Sequence, residues 1–522
     1  MNVAFDPWIP VITLSGEPAM SSLAGIFTDG AEYADLAVRP HERVALMRLL
    51  LCVAHAALDG PKDYDNWCAA PEQLSEAVRT YLDEWKDSFA LFHPTKPWLQ
   101  VASITKSGKG KDDPPAEWTP VAKLNFSFAS GNNSTLFDHD GTNQERTIAL
   151  AQTVLSMLAY QCFSTGGLIA QVFWQGRQTT KSSKDAPCVP ASMVHAMLRG
   201  PNVLRSVCLN LPTYEDVWTQ YGVDAIGRPI WEHMPTSFAD TEATRNATQT
   251  YLGRLVPMTR LIRLHNSGGR MLLGDGLAFP SFADGFPAEP TATVVVRKNG
   301  KKEEQALLSF NPSRAFWRQL SAMVVKRQAG QPGGPLALNA LQEGESCDLV
   351  VSALARDQAT IVETAESVFH VPGTLARPEG AQLYEEEVRV AEAIASRLGR
   401  AVETYRTEID GGWEGRLKGA GPNKGELRFK LQAVATSHYW THVENNLALL
   451  MDHAEAIGTE WAMPTRDLWR RMLSATARDA YRATCGQETP RQVRAFVKGW
   501  NILNTFRNNT AKKQPATGEV EV

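Results

Sequence analysis

The neighbours Asp138, His139 and Asp140, followed by Gly141, are the residues whose types could hold a divalent cation and drive hydrolysis. A catalytic metal needs about three protein ligands in fixed geometry. No second histidine cluster lies near in sequence, so a triplet in a polar loop reads as structural or solvated. Gly108-Lys109-Gly110-Lys111 misses the spacing of a phosphate-cradling loop, and neither a dinucleotide fingerprint nor a zinc-protease helix motif occurs. Ser164-Thr165-Gly166-Gly167 fails as a nucleophile elbow, because Cys162 stands where that turn needs glycine. The seven cysteines are scattered without a close pair, which reads as reduced thiols and not as a zinc site or a disulfide frame. Neither catalysis, a metal nor a cofactor is expected.

Binding chemistry has more support. Between Gln161 and Asn210 the cations Arg177, Lys181, Lys184, Arg199 and Arg205 face a single acid, Asp185. Between Gly253 and Gly274 stand Arg254, Arg260, Arg263 and Arg270 with no acid, and Arg297, Lys298, Lys301 and Lys302 form a third knot. Any one run is most simply a solvated face. Three in one part of a chain with net charge -4 predict a phosphate-contacting surface, with the excess acid on other faces. Gly166-Gly167 closes a long apolar helix as a C-cap, and a glycine pair also lets backbone approach a ligand closely. Arg356-Asp357-Gln358-Ala359-Thr360 joins two apolar strands, where a polar turn ordinarily meets only water.

The elements that position these residues fall into two patterns. A chain of 522 residues is expected to divide into more than one core. Apolar content of 43% and charged content of 21% are those of a soluble globular protein. The uncharged stretch Thr147–Gly176 contains Gln152, Gln161, Ser164 and Gln171, so a buried helix is expected there and no membrane span. With no signal peptide, a cytoplasmic protein is expected. Apolar spacing predicts helices over 41–58, 74–92 and 145–163, and a polar loop over 106–115. Asn299-Gly300 predicts a hairpin between strands at 291–297 and 304–310. From about residue 380 long amphipathic helices are predicted over 385–409, 427–457, 465–484 (N-capped by Thr465) and 490–506, with a glycine-rich loop over 411–425. The expected fold is α+β: an irregular mixed α/β domain over residues 1–375, a C-terminal four-helix bundle over 380–510 and a flexible tail over 511–522.

The N-terminus reads Phe5-Asp6-Pro7-Trp8-Ile9-Pro10-Val11. Pro7 holds Asp6 extended, Pro10 predicts an edge strand, and Trp8 predicts a buried indole pinning it. This string resembles the start of the CasA family, the large subunit of the type I-E CRISPR surveillance complex, Cascade. Further segments are similar to the family in the same order. They are Phe126-Ser127-Phe128 leading into a polar loop over 129–135, Ser164–Leu168 as a glycine loop, and 198–211. Arg314–Leu320 follows, then the strand–turn–strand over 349–361 and the helical C-terminus.

The resemblance implies a non-catalytic subunit. It would read the protospacer-adjacent motif (PAM) of double-stranded target DNA from the minor groove and start duplex opening for guide-RNA pairing. It would also sit with the guide-loaded Cascade subunits and help recruit a separate helicase–nuclease. By position, Gln358 would be the wedge, with Asp357 and Ala359 beside it. Gly166 and Gly167 would approach the PAM backbone, Arg270 would reach into the minor groove, and Phe128 and Asn132 would serve from the polar loop. Arg177, Lys181 and Lys184 would meet phosphate. A minor-groove reader tolerates several PAMs because the groove code is degenerate. A wedge costs a few kcal/mol of unstacking, offset by contacts on both sides. Because exchanging duplex for heteroduplex is near balance, such a wedge can decide where opening begins.

Two departures from the family pattern matter. Where some members carry cysteines, this chain reads His265-Asn266-Ser267-Gly268-Gly269, so no zinc is expected. Asp357 at the hairpin tip would accept from guanine N2 and be repelled by the acceptor-only A·T floor, which predicts a G·C preference. Two rival readings are a scaffold subunit without DNA contact and a hydrolase built on Asp138, His139 and Asp140.

Overall fold

The structure is a computed structural model and describes residues 1–106, 117–128, 148–223, 225–300, 302–357, 360–409 and 424–504. It divides into two compact units, Met1–Val371 and Pro372–Val522. Asn132, the 138–140 triplet, Gln358, Ala359, all but the last two residues of the expected glycine-rich loop over 411–425 and the expected tail over 511–522 lie outside the described residues.

The first unit is built on the helix Pro40–Leu58. Pro40 opens it, where an absent N–H leaves no bond unmade, and the Glu42 carboxylate accepts the Arg39 N–H at 3.0 Å. Its apolar run is buried on nearly every side, from Val44 through Ala54, as expected of a helix surrounded by protein. The helices Tyr64–Glu84 and Leu150–Phe163 pack against it. Within this apolar centre, Arg48 and Arg254 share the buried Glu289 carboxylate, at 2.8 and 2.6 Å. Burial alone would raise the pKa of that carboxyl, but Arg254 and Arg48 together hold it down at about 2.

Small antiparallel sheets surround this centre. Cys347–Asp357 pairs with Thr360–Val371 on one side and with Val194–Arg199 on the other. The second ladder covers only Asp348–Ala353, so the end of the hairpin from Leu354 to Asp357 extends beyond it. The strands are longer than the sequence suggests. Val294–Asn299 and Lys302–Leu307 form the expected second hairpin, with Asn299 still paired to Lys302. Gly300, at φ +64°, therefore takes the first turn position in place of Asn299.

The N-terminal strand Ile9–Thr13 corrects one expectation: it is the middle strand of its sheet, between Pro18–Ser21 and Tyr33–Leu36. Pro10 is tolerated because its missing N–H faces the Tyr33–Leu36 side, where pairing starts only at Val11. Its carbonyl still accepts the Ala37 N–H at 2.9 Å. Trp8 is buried as expected, and its indole N–H donates to the Val3 carbonyl at 2.8 Å.

The second unit is helical, with Pro378–Ile409 packed against Lys424–Asn445, Ala462–Thr484 and Pro490–Asn504. The single helix expected over 427–457 is interrupted, giving Lys424–Asn445 and Ala448–Ala456. Asn446 explains the break: its side-chain amide donates to the His442 carbonyl at 2.8 Å, taking the acceptor its own N–H would use. Thr465 is not an N-cap. The helix begins at Ala462, since Pro464 falls in the first turn, and the Thr465 hydroxyl donates to Trp461 O at 2.8 Å. Gly499 lies where a Cβ would fall 2.5 Å from Ala401 O, so two helices approach there closely.

Three buried histidines give the first unit a pH signature. Desolvation pulls His41 and His195 down to about 4, and His55 to about 3. Unfolding returns each to the usual value of 6.5, so the unfolded chain binds more protons between these limits. Stability is therefore complete above about pH 6.5 and falls as the pH drops towards 4, by ~2 kcal/mol per histidine at about pH 5. Denaturant midpoints measured at about pH 7.5 and about pH 5 should show this loss. Equal midpoints would mean that these imidazoles are not held neutral.

Candidate nucleic-acid interface

Leu150–Phe163 ends at Ser164, and the chain turns back through Thr165, Gly166 and Gly167. Gly167–Leu168 then pairs with Ser182–Ser183, closing a small loop. Gly167 has φ +142°, a conformation side chains resist. Gly166 has an internal reason to be glycine: a Cβ there would lie 2.9 Å from Ser183 O. The pair is therefore required by the protein's own packing, whatever ligand approaches it.

The loop rests on Arg260. Its guanidinium, nearly fully buried, donates to Thr165 O at 2.9 Å and Lys184 O at 3.0 Å, one from each arm of the loop, and to Thr259 O at 2.8 Å. Gln161 secures that arginine's backbone in turn, accepting its N–H and donating to its carbonyl, both at 2.9 Å. Thr180 adds a bond to Asp275 at 2.6 Å on the neighbouring strand.

One acid joins this loop to the long hairpin. Asp185 accepts the Gly166 N–H at 2.7 Å and takes the Arg356 guanidinium in a two-pronged pair at 2.7 and 2.6 Å. Gly166, Lys184, Asp185 and Arg356 consequently line one open cleft of about 500 Å³, together with Arg254 and Glu289. Asp357, next to Arg356, is exposed at the end of its strand and pairs with Thr360. Sequence reasoning noticed Asp185 only as the lone acid among cations; nothing in the chain pointed to its partners.

Arg177, Lys181 and Lys184 are exposed. Backbone bonds fix two of them: Lys181 O accepts from Ile169 N at 3.0 Å, and Lys184 O from Arg260. The Arg177 guanidinium lies 5.4 Å from the Phe238 ring centre. Leu168, beside Gly167, is 92% exposed, an unusual position for leucine.

The second basic run is turned partly inwards, and the third is partly offset by acids. Arg254 and Arg260 are buried, the first on Glu289 and the second on backbone carbonyls. Arg263 donates to Ile104 O at 3.1 Å and lies over Trp118. In the third run, Lys298 and Arg297 stand directly opposite Glu303 and Glu304, which offsets two of its four cations. Arg270 is half-buried, and its guanidinium donates to Trp118 O at 2.9 Å. It begins the strand Arg270–Asp275, whose other end pairs with Arg260. It thus stands roughly 15 Å along the sheet from the glycine loop's support.

Phe128 is half-buried, its N–H on Asn125 O at 3.2 Å. Arg39 holds this segment by donating to Asn125 Oδ1 at 3.1 Å and to the Ser127 hydroxyl. Phe126 stacks on Tyr160, in the helix that carries the glycine loop, with centroids 5.5 Å apart. The polar loop's entry and the glycine loop therefore share one support. Among the described residues no group of three or more His, Cys, Asp or Glu side chains could hold a metal, and no helix is long and apolar enough to cross a membrane.

The family model for CRISPR-associated protein Cse1 matches residues 2–480. A CasA/Cse1 protein of Thermus thermophilus is 29% identical over 502 residues, which span 92% of both chains. A crystal structure of Thermus thermophilus CasA is similar with a TM-score of 0.74 at 23% identity, over 96% of this chain and 98% of that one. A chain of a structure described as a CRISPR RNA-guided surveillance complex matches with a TM-score of 0.69 at 19% identity, over 96% of this chain and 99% of that one. With the match running across nearly its whole length, this chain belongs to the CRISPR-associated Cse1 (CasA) family.

Proposed function

We propose that the chain is a non-catalytic subunit of an RNA-guided CRISPR surveillance complex, in which it reads the PAM and starts opening of the target duplex. The observation that carries this reading is the Asp185 link, which sets the glycine loop and the hairpin side by side in one cleft with the exposed Lys184. Gly166 and Gly167 lie along the PAM backbone. Arg177, Lys181 and Lys184 meet phosphates, and Gln358, flanked by Asp357 and Ala359, enters beneath the PAM. Phe128 and Asn132 add contacts from the polar loop, and Arg270 serves the minor groove. Guide-loaded subunits supply the pairing strand, and a separate helicase–nuclease is recruited once opening has begun. The relative found in a surveillance complex supports the assembly.

The internal use of Arg254 and Arg260 favours a second reading, a scaffold without direct DNA contact. Opening decides between the two. In the guide-loaded complex, with a fluorescent base beside the PAM, Gln358→Ala should abolish opening of PAM-bearing DNA while the complex still assembles. Unchanged opening would remove the wedge assignment.

Electrostatics gives a separate check. Three phosphate contacts amount to a slope of about -2.7 for log affinity against log salt, or roughly 40-fold weaker binding from 50 to 200 mM. Arg177→Ala, Lys181→Ala and Lys184→Ala should each reduce the slope by ~0.9, alike for all PAM sequences. An unchanged slope in all three would support the scaffold.

Asp357 should set a preference at one PAM position. Its carboxylate accepts from guanine N2 but meets only acceptors on an A·T floor. Asp357→Asn should bring the affinities for G·C and A·T variants at that position closer, by about fivefold. Equal affinities already in the unaltered protein would end the idea.

A further inference from the structure

We infer that Asp185 is a positioning residue that holds the glycine loop and the hairpin in one register, so that neither moves without the other. The inference rests on the function proposed above for its consequences, though not for the contact itself. Three independent features meet at this carboxylate. Its Oδ1 accepts the Gly166 N–H at 2.7 Å, a bond to backbone in a loop whose glycine has no room for a Cβ. Both of its oxygens take the Arg356 guanidinium, at 2.7 and 2.6 Å, in the paired geometry that fixes direction as well as distance. The third feature lies in the ladder.

The hairpin register shifts between Ala355 and Arg356: Ala355 pairs with Glu363, whereas Arg356 pairs with Ile361. Val362 is the extra residue, and it is 62% exposed. A bulge bends its strand and re-aims the side chains beside it. The bulge lies in the strand facing Arg356, whose guanidinium lands on Asp185. The Arg356 N–H also donates to the Ser192 hydroxyl at 3.3 Å, and Ala191 and Ser192 adopt left-handed φ of +58° and +48°. Two successive non-glycine residues in that region require surrounding structure to hold them. The last strand residues before the tip are thus tied from below at the side chain and at the backbone, where the third strand no longer supports them.

Both side chains of the pair are about one-quarter exposed, at 27% for Asp185 and 23% for Arg356. This leaves the pair less screened than a surface pair and open to substitution without opening the core. Asp185→Asn keeps an acceptor for Gly166 and removes the charge-assisted pair. Arg356→Met removes the pair from the other side.

Amide hydrogen exchange in the intact chain tests the coupling without DNA. Each variant should speed exchange at least fivefold in both the 164–168 and the 354–366 segments, while the helix Pro40–Leu58 keeps its protection. In the guide-loaded complex, each should reduce opening of PAM-bearing duplex about tenfold and change duplex affinity less than twofold. The double variant should be no worse than either single one, because both remove the same contact. Faster exchange in one segment alone, additive losses in the double variant, or tighter duplex binding with full opening would overturn the inference. The Gln358→Ala control separates the two failures: if it leaves opening intact, the wedge reading falls, and coupled exchange still upholds the Asp185 contact.

Discussion

A single guanidinium without access to water holds both arms of the glycine loop. Arg260 donates to the carbonyls of Thr165, Lys184 and Thr259, all outside regular strands. Burying a charge is costly unless its donors are occupied, and these are. Everything proposed for the interface stands on that support. The exposed cation Lys184 projects from backbone fixed on it, Asp185 follows directly after Lys184, and Arg356 reaches the same point from a distant strand. The buried Arg48–Glu289–Arg254 group beside the cleft repeats the same device, charge used as internal scaffolding.

This use of charge also shows how far the sequence could be read. Periodicity located the helices Pro40–Leu58 and Leu150–Phe163 to within a few residues, because an apolar face must repeat with the helix. The Asn-Gly signal found its hairpin one residue out of register. Cation runs were less informative. Counting Arg254, Arg260, Arg263 and Arg270 along the chain cannot reveal that two point inwards, since a buried arginine looks the same in sequence as an exposed one. Their backbone-carbonyl partners leave no residue-type signature.

Other misreadings share that cause. Pro10 suggested an edge strand, and only the partner's register shows that its missing N–H goes unused. Thr465 suggested a cap, yet Pro464 fits in the first turn and the helix starts earlier. The Asp185–Arg356 pair spans 171 positions of chain, too far for any local rule to connect. The ordered string of short family-like segments was legible where each segment alone was not, and the family model's match across residues 2–480 agrees with it.

The internal use of arginine has a kinetic consequence. On the proposed reading, a surface whose phosphate contacts come from Arg177, Lys181 and Lys184 would grip any duplex only loosely, so wrong sites would be released quickly. Residence time would then depend on whether the proposed wedge finds a duplex it can part. Search over long DNA favours such an arrangement, since time lost per incorrect site limits how fast the correct one is found. On the surface, the arginines folded into the core would have made the proposed reader stronger but slower.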